Sequence, residues 1–359
     1  MIHRTPSTRA TGDADQQRPA LGSALPDRVA IDYTTHYLGL TLRSPLVVAA
    51  SPLGGHLPVL RRLEELGAAA VVLPSLFAEQ LQREEMEIHN FLEQGQHSQA
   101  ESPSYFPDID FYNAGRQAYE THLREARQQL GIPLIASLNG GAPGQWTDTA
   151  KRLADAGADA LELNLYEVVT DPMDSSQQVE DRQLALVDSV RRAVTLPIAV
   201  KIGNAYTALP HFAQRLATTG VNGLVLFNRY LEPDMDLQAM AVVPQLELSR
   251  PSEMRVPLRW IAILRDQLSI SLAASSGIHS GLDAVKLLLA GADVVMMASA
   301  LLRHGVEHLE VMFLEMQQWL RDREYASIAQ LKGSMSRLKC ANPEGFERAN
   351  YVQSIVSYV

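Results

Sequence analysis

Polar residues at the ends of apolar segments are the first sign of chemistry in this chain. Lys201 ends the segment PIAVK, and its ammonium group needs a partner because burying it unpaired is costly. Three interpretations are compatible with this lysine: a cation against an anionic cofactor ring or a substrate oxyanion, a Schiff-base nucleophile, or a structural salt bridge. We favour the first of them.

Two segments of small residues predict a phosphate site. They contain Ser276, Gly277, Ala298 and Ser299. Small side chains let backbone N–H groups approach an anion closely, and the start of a helix adds a favourable dipole. Helix capping is a compatible alternative, because Ser280 and Asp283 have the spacing of a capping box.

Amide and hydroxyl side chains close other apolar segments. Asn139, Asn164 and Asn228 stand at such ends, and Ser51 and Ser75 follow two more. A buried amide needs hydrogen-bond partners, and a flat heterocycle with alternating donors and acceptors supplies them. Each asparagine alone is also suited to holding a loop, but three of them favour a ligand.

Proton transfer is predicted for the segment after Asn164. Glu167 lies three residues beyond it, and a carboxylate at that place is suited to act as a general base, with Tyr166 as the alternate. The competing interpretation makes Glu167 a solvated loop residue. The histidines show no metal-ligand spacing, so no metal site is expected, and His279 is expected to be exposed at the start of a helix.

A recurring helix–glycine–strand pattern indicates which elements position these residues. It occurs at 61–73, 150–164, 213–228 and 285–299, each time as an amphipathic stretch, a glycine and an apolar run. Apolar runs of this kind are typical of parallel strands buried on both faces. With the intervening segments, the pattern predicts eight strands, near 46–50, 69–73, 133–138, 159–164, 197–202, 222–227, 270–275 and 293–298.

Eight strands that alternate with helices predict an α/β fold, a (β/α)₈ TIM barrel. A hairpin before the first strand is expected to plug the bottom of the barrel, and long loops follow strands 2 and 6. The alternative is a doubly wound open sheet. It usually carries a G-x-G-x-x-G motif after the first strand, where this chain has ASPLGG.

Composition limits the class of protein. We expect a disordered segment at 1–28, the barrel at 29–335 and a C-terminal tail at 336–359 that packs on it. The net charge of −10 argues against nucleic-acid binding, and no apolar run is long enough to predict a membrane span. The single cysteine, Cys340, excludes an intramolecular disulfide and fits a cytoplasmic location.

Taken together, these residues resemble the dihydroorotate dehydrogenase family of FMN-dependent barrels, and most closely its bacterial dihydroorotate dehydrogenase-like branch. The matching motifs are SPLVVAAS at 44–51, ELN at 162–164, Val200-Lys201, SGI at 276–278, GAD at 291–293 and ASAL at 298–301. The resemblance implies FMN as cofactor, with Lys201 near its ring and the small residues on its phosphate. The resemblance and the polar residues at the strand ends together predict these cofactor-binding residues: Ala50, Ser51, Ser75, Asn139, Asn164, Lys201, Asn228, Ser276, Gly277, Ala298 and Ser299.

Departures from the family pattern concern the substrate. The family carries Asn-x-Ser-Cys/Ser-Pro-Asn after strand 4, whereas this chain has Asn164-Leu-Tyr-Glu-Val-Val, which places Glu167 at the position of the base. That carboxylate would repel the carboxylate of orotate. The remaining candidates for substrate binding are Asn113, Asn164 and Asn228.

The resulting hypothesis is an FMN-dependent oxidoreductase acting on a CH–CH group of a small polar, dihydropyrimidine-like substrate. Glu167, Tyr166 and Lys201 are its predicted catalytic residues. An external electron acceptor and a homodimer are expected. The alternatives are an authentic dihydroorotate dehydrogenase of pyrimidine biosynthesis, a non-catalytic flavin-binding barrel and a Schiff-base lyase.

Overall fold

The computed structural model describes residues 30–80, 115–140 and 143–357. The predicted segment 1–28 and the candidate Asn113 lie outside these ranges. The strands are β1 (Thr35–Tyr37), β2 (Leu40–Leu42), β3 (Leu46–Val48), β4 (Ala70–Phe77), β5 (Leu134–Asn139), β6 (Ala160–Asn164), β7 (Ile198–Ile202), β8 (Gly223–Leu226), β9 (Pro233–Asp236), β10 (Ala241–Pro244), β11 (Ser271–Ser275) and β12 (Val294–Met297).

Eight of these strands form a closed parallel barrel in the order β3-β4-β5-β6-β7-β8-β11-β12, with β8 paired to β11. This confirms the predicted (β/α)₈ TIM barrel and all eight predicted strand positions. The barrel strands are buried along nearly their whole length. Their inward side chains are mostly alanine, valine and other apolar groups, which fill the interior.

Helices surround the barrel. They are α1 (Leu57–Glu65), α2 (Gly115–Gln129), α3 (Pro143–Asp155), α4 (Ser176–Ala193), α5 (Leu209–Thr218), α6 (Arg255–Leu264), α7 (Gly281–Ala290), α8 (Ser299–His304), α9 (His308–Asp322), α10 (Ile328–Leu331) and α11 (Ala349–Val356). The predicted capping box at α7 is confirmed, because the Ser280 hydroxyl accepts from Asp283 N and the Asp283 carboxylate accepts from Ser280 N. No helix of the described residues has the length and apolar composition that crossing a membrane requires.

The predicted hairpin is formed by β1 and β2, and it closes the end of the barrel where the strands begin. Leu38 at its turn is buried and packs against Gly223, and its backbone N–H donates to Ser271 Oγ at 3.0 Å. Thr35 Oγ1 donates to the carbonyl of Asp293 at 2.8 Å. The amino-terminal end of the barrel is therefore sealed, and a ligand has to use the opposite end.

The loop after β8 contains an antiparallel hairpin of β9 and β10 and a 3₁₀ turn at Pro251–Met254. It then returns across the barrel top before α6 begins. This is the long loop expected after strand 6. Most of the long segment expected after strand 2 lies outside the described residues.

Candidate functional site

A cavity of about 470 Å³ lies at the carboxyl ends of the barrel strands. Its size is typical of a site for a small molecule or a cofactor. The structure brings together at this cavity twelve residues named from the sequence: Ala50, Ser51, Ser75, Asn139, Asn164, Tyr166, Lys201, Asn228, Ser276, Gly277, Ala298 and Ser299. Their convergence follows from the parallel barrel, since all its strands end at the same face.

Lys201 reaches the cavity from β7. It pairs in register with Asn164 of the neighbouring β6, so both side chains stand at the same level of the barrel. The Lys201 ammonium lies 3.4 Å from Oε1 of Glu162, which is fully buried. The lysine thus has the anionic partner that its burial required. The structural salt bridge, one of the three interpretations of Lys201 from the sequence, is therefore present.

Two side-chain oxygen atoms on the cavity wall have no hydrogen-bond partner among the described residues. Ser51 Oγ and Asn164 Oδ1 are buried, and neither has a hydrogen bond within the part of the chain that the structure describes. Ser75 differs from them, because its hydroxyl is 2.8 Å from Ser137 Oγ. Buried polar atoms are nearly always paired, so unpaired ones at a cavity point to a ligand.

The two small-residue segments lie side by side and are linked by Ser249. Ser249 N donates to Ser299 Oγ at 3.1 Å, and Ser249 Oγ accepts from Gly277 N at 3.4 Å. Ser276 and Gly277 have φ values of +83° and +73°. A Cβ at position 277 would lie 2.2 Å from Met254 N, so only glycine fits there.

The expectation that His279 is exposed was wrong. His279 is buried, and its Nε2 lies 3.2 Å from Ser249 Oγ, because the segment that returns from the loop after β8 covers it. Burial lowers the pKa of His279, and the cation of Arg303 acts in the same direction. The imidazole is therefore neutral at neutral pH.

Glu167 does not line the main cavity, although Tyr166 beside it does. The Glu167 carboxylate forms an ion pair with Arg182 and accepts from Gln183 Nε2 at 3.3 Å. The Tyr166 ring contacts the ring of Tyr230 edge to face, with centroids 4.6 Å apart. Burial raises the pKa of Tyr230, whose hydroxyl also bonds the backbone of Glu167.

Two further hollows adjoin the main cavity at Tyr166. One has a volume of about 310 Å³ and extends from Asn164 to Arg182 and Trp146. The other, of about 530 Å³, is lined by Tyr206, Tyr230 and residues of the loop after β6. Glu167 lines both of them, so the structure places it beside the predicted site rather than within its main cavity.

Sequence reasoning missed the residues that the loop after β8 brings to the cavity. Arg229 follows Asn228, donates to Glu253 Oε2 at 2.9 Å, and forms a further bond to the carbonyl of Glu247. Ser249 links the small-residue segments. The arginine beside a named strand-end asparagine was a usable signal, whereas nothing in the sequence indicates the path by which Ser249 returns. Within the described ranges, no three of the histidine, cysteine, aspartate and glutamate side chains are placed to hold a metal ion.

Comparison with known proteins places the chain in a family. The family model for dihydroorotate dehydrogenase matches residues 102–320. A putative dihydroorotate dehydrogenase A (fumarate) of Aeropyrum pernix is 26% identical over 241 residues, which are 64% of this chain and 76% of that protein.

Two relatives are named dihydroorotate dehydrogenase B (NAD(+)), catalytic subunit. That of Methanocella arvoryzae is 27% identical over 73% of this chain and 84% of its own length. That of Methanothermobacter thermautotrophicus is 24% identical over 83% of this chain and 97% of its own length. With a family model that spans more than half of the chain, the protein belongs to the dihydroorotate dehydrogenase family and is an oxidoreductase of the type that acts on CH–CH groups.

Proposed function

We propose that the chain is an FMN-dependent oxidoreductase that transfers hydride between the flavin and a small polar substrate. The observation that carries this proposal is the pair of buried, unpaired polar atoms, Ser51 Oγ and Asn164 Oδ1, at the wall of a cavity that Lys201 also lines. A cofactor with hydrogen-bonding ring edges would satisfy both atoms.

The residues present fit FMN. Asn139, Asn164 and Lys201 would hold the ring edges and the ribityl chain, and Ala50 and Ser51 would lie against the ring. At the other side, Ser276, Gly277 and Ser299 would hold the phosphate, since the loop after β11 and the segment after β12 are the usual phosphate position in barrels. When bound, FMN supplies the hydride acceptor that the side chains of the chain lack.

Tyr166 is the acid or base that we propose for the substrate proton. Its side chain lines the main cavity next to Asn164, so a substrate there is within its reach. Glu167 stays a candidate for the same role, but its carboxylate would first have to leave Arg182. Lys201 would place a positive charge near the flavin ring and stabilise negative charge that develops there.

The substrate is proposed to be small and polar, and dihydropyrimidine-like compounds are the first candidates. Asn228 and Arg229 lie at the cavity and offer an amide and a guanidinium group. Since the relatives are named after dihydroorotate, that compound is the runner-up substrate. Electrons would leave to an external acceptor. The cytoplasmic location and the homodimer stay predictions, and the binding role of Asn113 lies outside the described residues.

The test begins with the visible spectrum of the freshly purified protein. We expect a flavin spectrum, and release of FMN on denaturation. Anaerobic mixing with a panel of dihydropyrimidines, including dihydroorotate, should then bleach the flavin with at least one compound. A protein that carries no flavin and binds none when FMN is added would refute the proposal.

The lyase alternative is less compatible with the site. A Schiff-base lysine needs its amine free to attack the substrate, whereas the Lys201 side chain forms an ion pair with the buried Glu162 carboxylate 3.4 Å away. Borohydride trapping of a substrate on Lys201 would support the lyase instead. Flavin that no candidate substrate bleaches would support the non-catalytic flavin-binding protein.

A further inference from the structure

Two charged side chains stand inside a barrel interior that is otherwise mostly apolar. Glu162 of β6 is fully buried, and its Oε1 lies 3.4 Å from Lys201 Nζ of β7. Its other oxygen, Oε2, has no hydrogen-bond partner among the described residues. Below it, the Tyr37 hydroxyl stays neutral, because burial and then the charges of Glu162 and Asp293 raise its pKa.

As a purely structural device, this ion pair contributes little. A buried pair recovers its desolvation cost only when the contact is close and the remaining lone pairs are satisfied. The 3.4 Å separation and the unpaired Oε2 meet neither condition. Apolar residues of similar volume often give an equal or greater stability at such positions.

The position of the pair indicates a different use. Lys201 lines the cavity, while Glu162 stands one inward layer deeper, level with Ala199 rather than with Lys201. An ammonium group has three N–H donors, and Glu162 is the acceptor that the described residues offer it. The remaining donors are left for a ligand above.

We propose that Glu162 is a positioning residue that holds the Lys201 ammonium at the cavity wall and balances its charge beneath the flavin. This inference rests on the proposed FMN-dependent function. With Glu162 in place, a bound ring meets an ion pair instead of a lone cation, so the lysine favours the anionic reduced flavin less strongly. Glu162 thereby sets how readily the bound flavin accepts electrons.

The test compares the affinities of the apoprotein for oxidised and for reduced FMN. Glu162→Gln keeps the size of the side chain and an acceptor for Lys201, but it removes the negative charge. We expect the ratio of the Kd for oxidised FMN to the Kd for reduced FMN to rise about tenfold, which for a two-electron couple is a shift of about 30 mV to more positive potential. Glu162→Asp keeps the charge and should return the ratio toward that of the unaltered protein.

Two comparisons separate positioning from a general structural effect. Glu120→Gln also removes a buried glutamate that pairs with an arginine, 3.0 Å away, but it lies on α2 outside the barrel interior and should leave the ratio unchanged. Lys201→Met should lower the ratio. Because part of the effect of Glu162 is exerted through the lysine that it holds, Glu162→Gln should raise the ratio less in the Lys201→Met background than in the unaltered protein.

The outcomes distinguish this inference from the proposed function. Equal ratios for the unaltered protein and Glu162→Gln, both with FMN bound, would overturn the inference and leave the proposed function standing. An unaltered protein that binds no FMN would overturn both. If Glu162→Gln does not fold, Glu162→Met, which also removes the negative charge, takes its place: a raised ratio would support the inference, and a ratio equal to that of the unaltered protein would overturn it.

Discussion

The Ser51 hydroxyl permits a test in which stability and cofactor affinity should change in opposite directions. Its buried Oγ has no partner in the described part of the chain, so the ligand-free protein bears the cost of an unsatisfied polar group, about 1–3 kcal/mol. Ser51→Ala removes that group. Allowing for the packing lost with the oxygen, we expect the free energy of unfolding of the apoprotein to rise by about 1 kcal/mol.

The same variant should bind FMN less tightly. One hydrogen bond contributes about 0.5–1.5 kcal/mol, so its loss should raise the Kd about 2- to 12-fold. Urea unfolding of the apoprotein and titration with FMN measure the two quantities separately.

A matched control is available in α3. Thr149 Oγ1 is also buried without a partner among the described residues, but Thr149 does not line the cavity. Thr149→Val should therefore raise the stability and leave the Kd for FMN unchanged. The reasoning fails if Ser51→Ala lowers the stability of the apoprotein and leaves its affinity for FMN intact, because that hydroxyl would then serve the fold and not the ligand.

Three further predictions concern the acid or base, the phosphate side and pH. Tyr166→Phe should slow flavin reduction by the bleaching substrate about 10²- to 10⁴-fold in stopped-flow experiments, while the Kd for FMN stays within twofold. Gly277→Ala should lower the free energy of unfolding by about 3 kcal/mol or more and weaken FMN binding, because the new Cβ would lie 2.2 Å from the backbone. Gly39→Ala is the control, with a similar φ of +81° but no atom within 4 Å of the new Cβ, and it should lower the free energy of unfolding by only about 1–2 kcal/mol. Equal losses in the two variants would contradict this reasoning. Burial lowers the pKa of His279 below its usual 6.5, so the unfolded chain takes up a proton that the folded protein does not. The free energy of unfolding should therefore fall as the pH drops below about 6.5. Urea titrations at several pH values should show a smaller dependence on pH for His279→Asn.

The barrel itself could be predicted because its signal is local. Every barrel strand except β11 is an apolar run that follows a helix-ending glycine or an opening proline, and these markers lie within a few residues of the strand. For β4 the prediction ended at 73. The strand continues to Phe77 through a register shift between Val72 and Ser75, which accommodates Pro74 and brings the Ser75 hydroxyl to Ser137. A proline inside a strand predicts an end, and only the pairing with β5 shows a bulge.

The strand-end residues of the site could be predicted for the same reason, since parallel strands that close into a barrel end at one face. The contacts of Ser249 and the burial of His279 could not be predicted from the sequence. Both depend on how the segment after β10 returns over the barrel, and that path has no periodicity in the sequence. The Ser249 contacts to Gly277 and Ser299 join residues 28 and 50 positions apart in the chain.

Glu167 shows why the residue type at a motif position does not fix its role. The family pattern places the base at this position, and a carboxylate there is chemically suitable. The side chain, however, pairs with Arg182, fifteen residues further along on α4, and that pairing turns it toward the two adjoining hollows. Leu165 N meanwhile donates to the carbonyl of Lys201, which anchors the backbone next to Tyr166 at the barrel rim. The ion pair with the helix that follows the strand thus holds the carboxylate away from the main cavity, and Tyr166 beside it lines that cavity, where we propose that it exchanges a proton with the substrate.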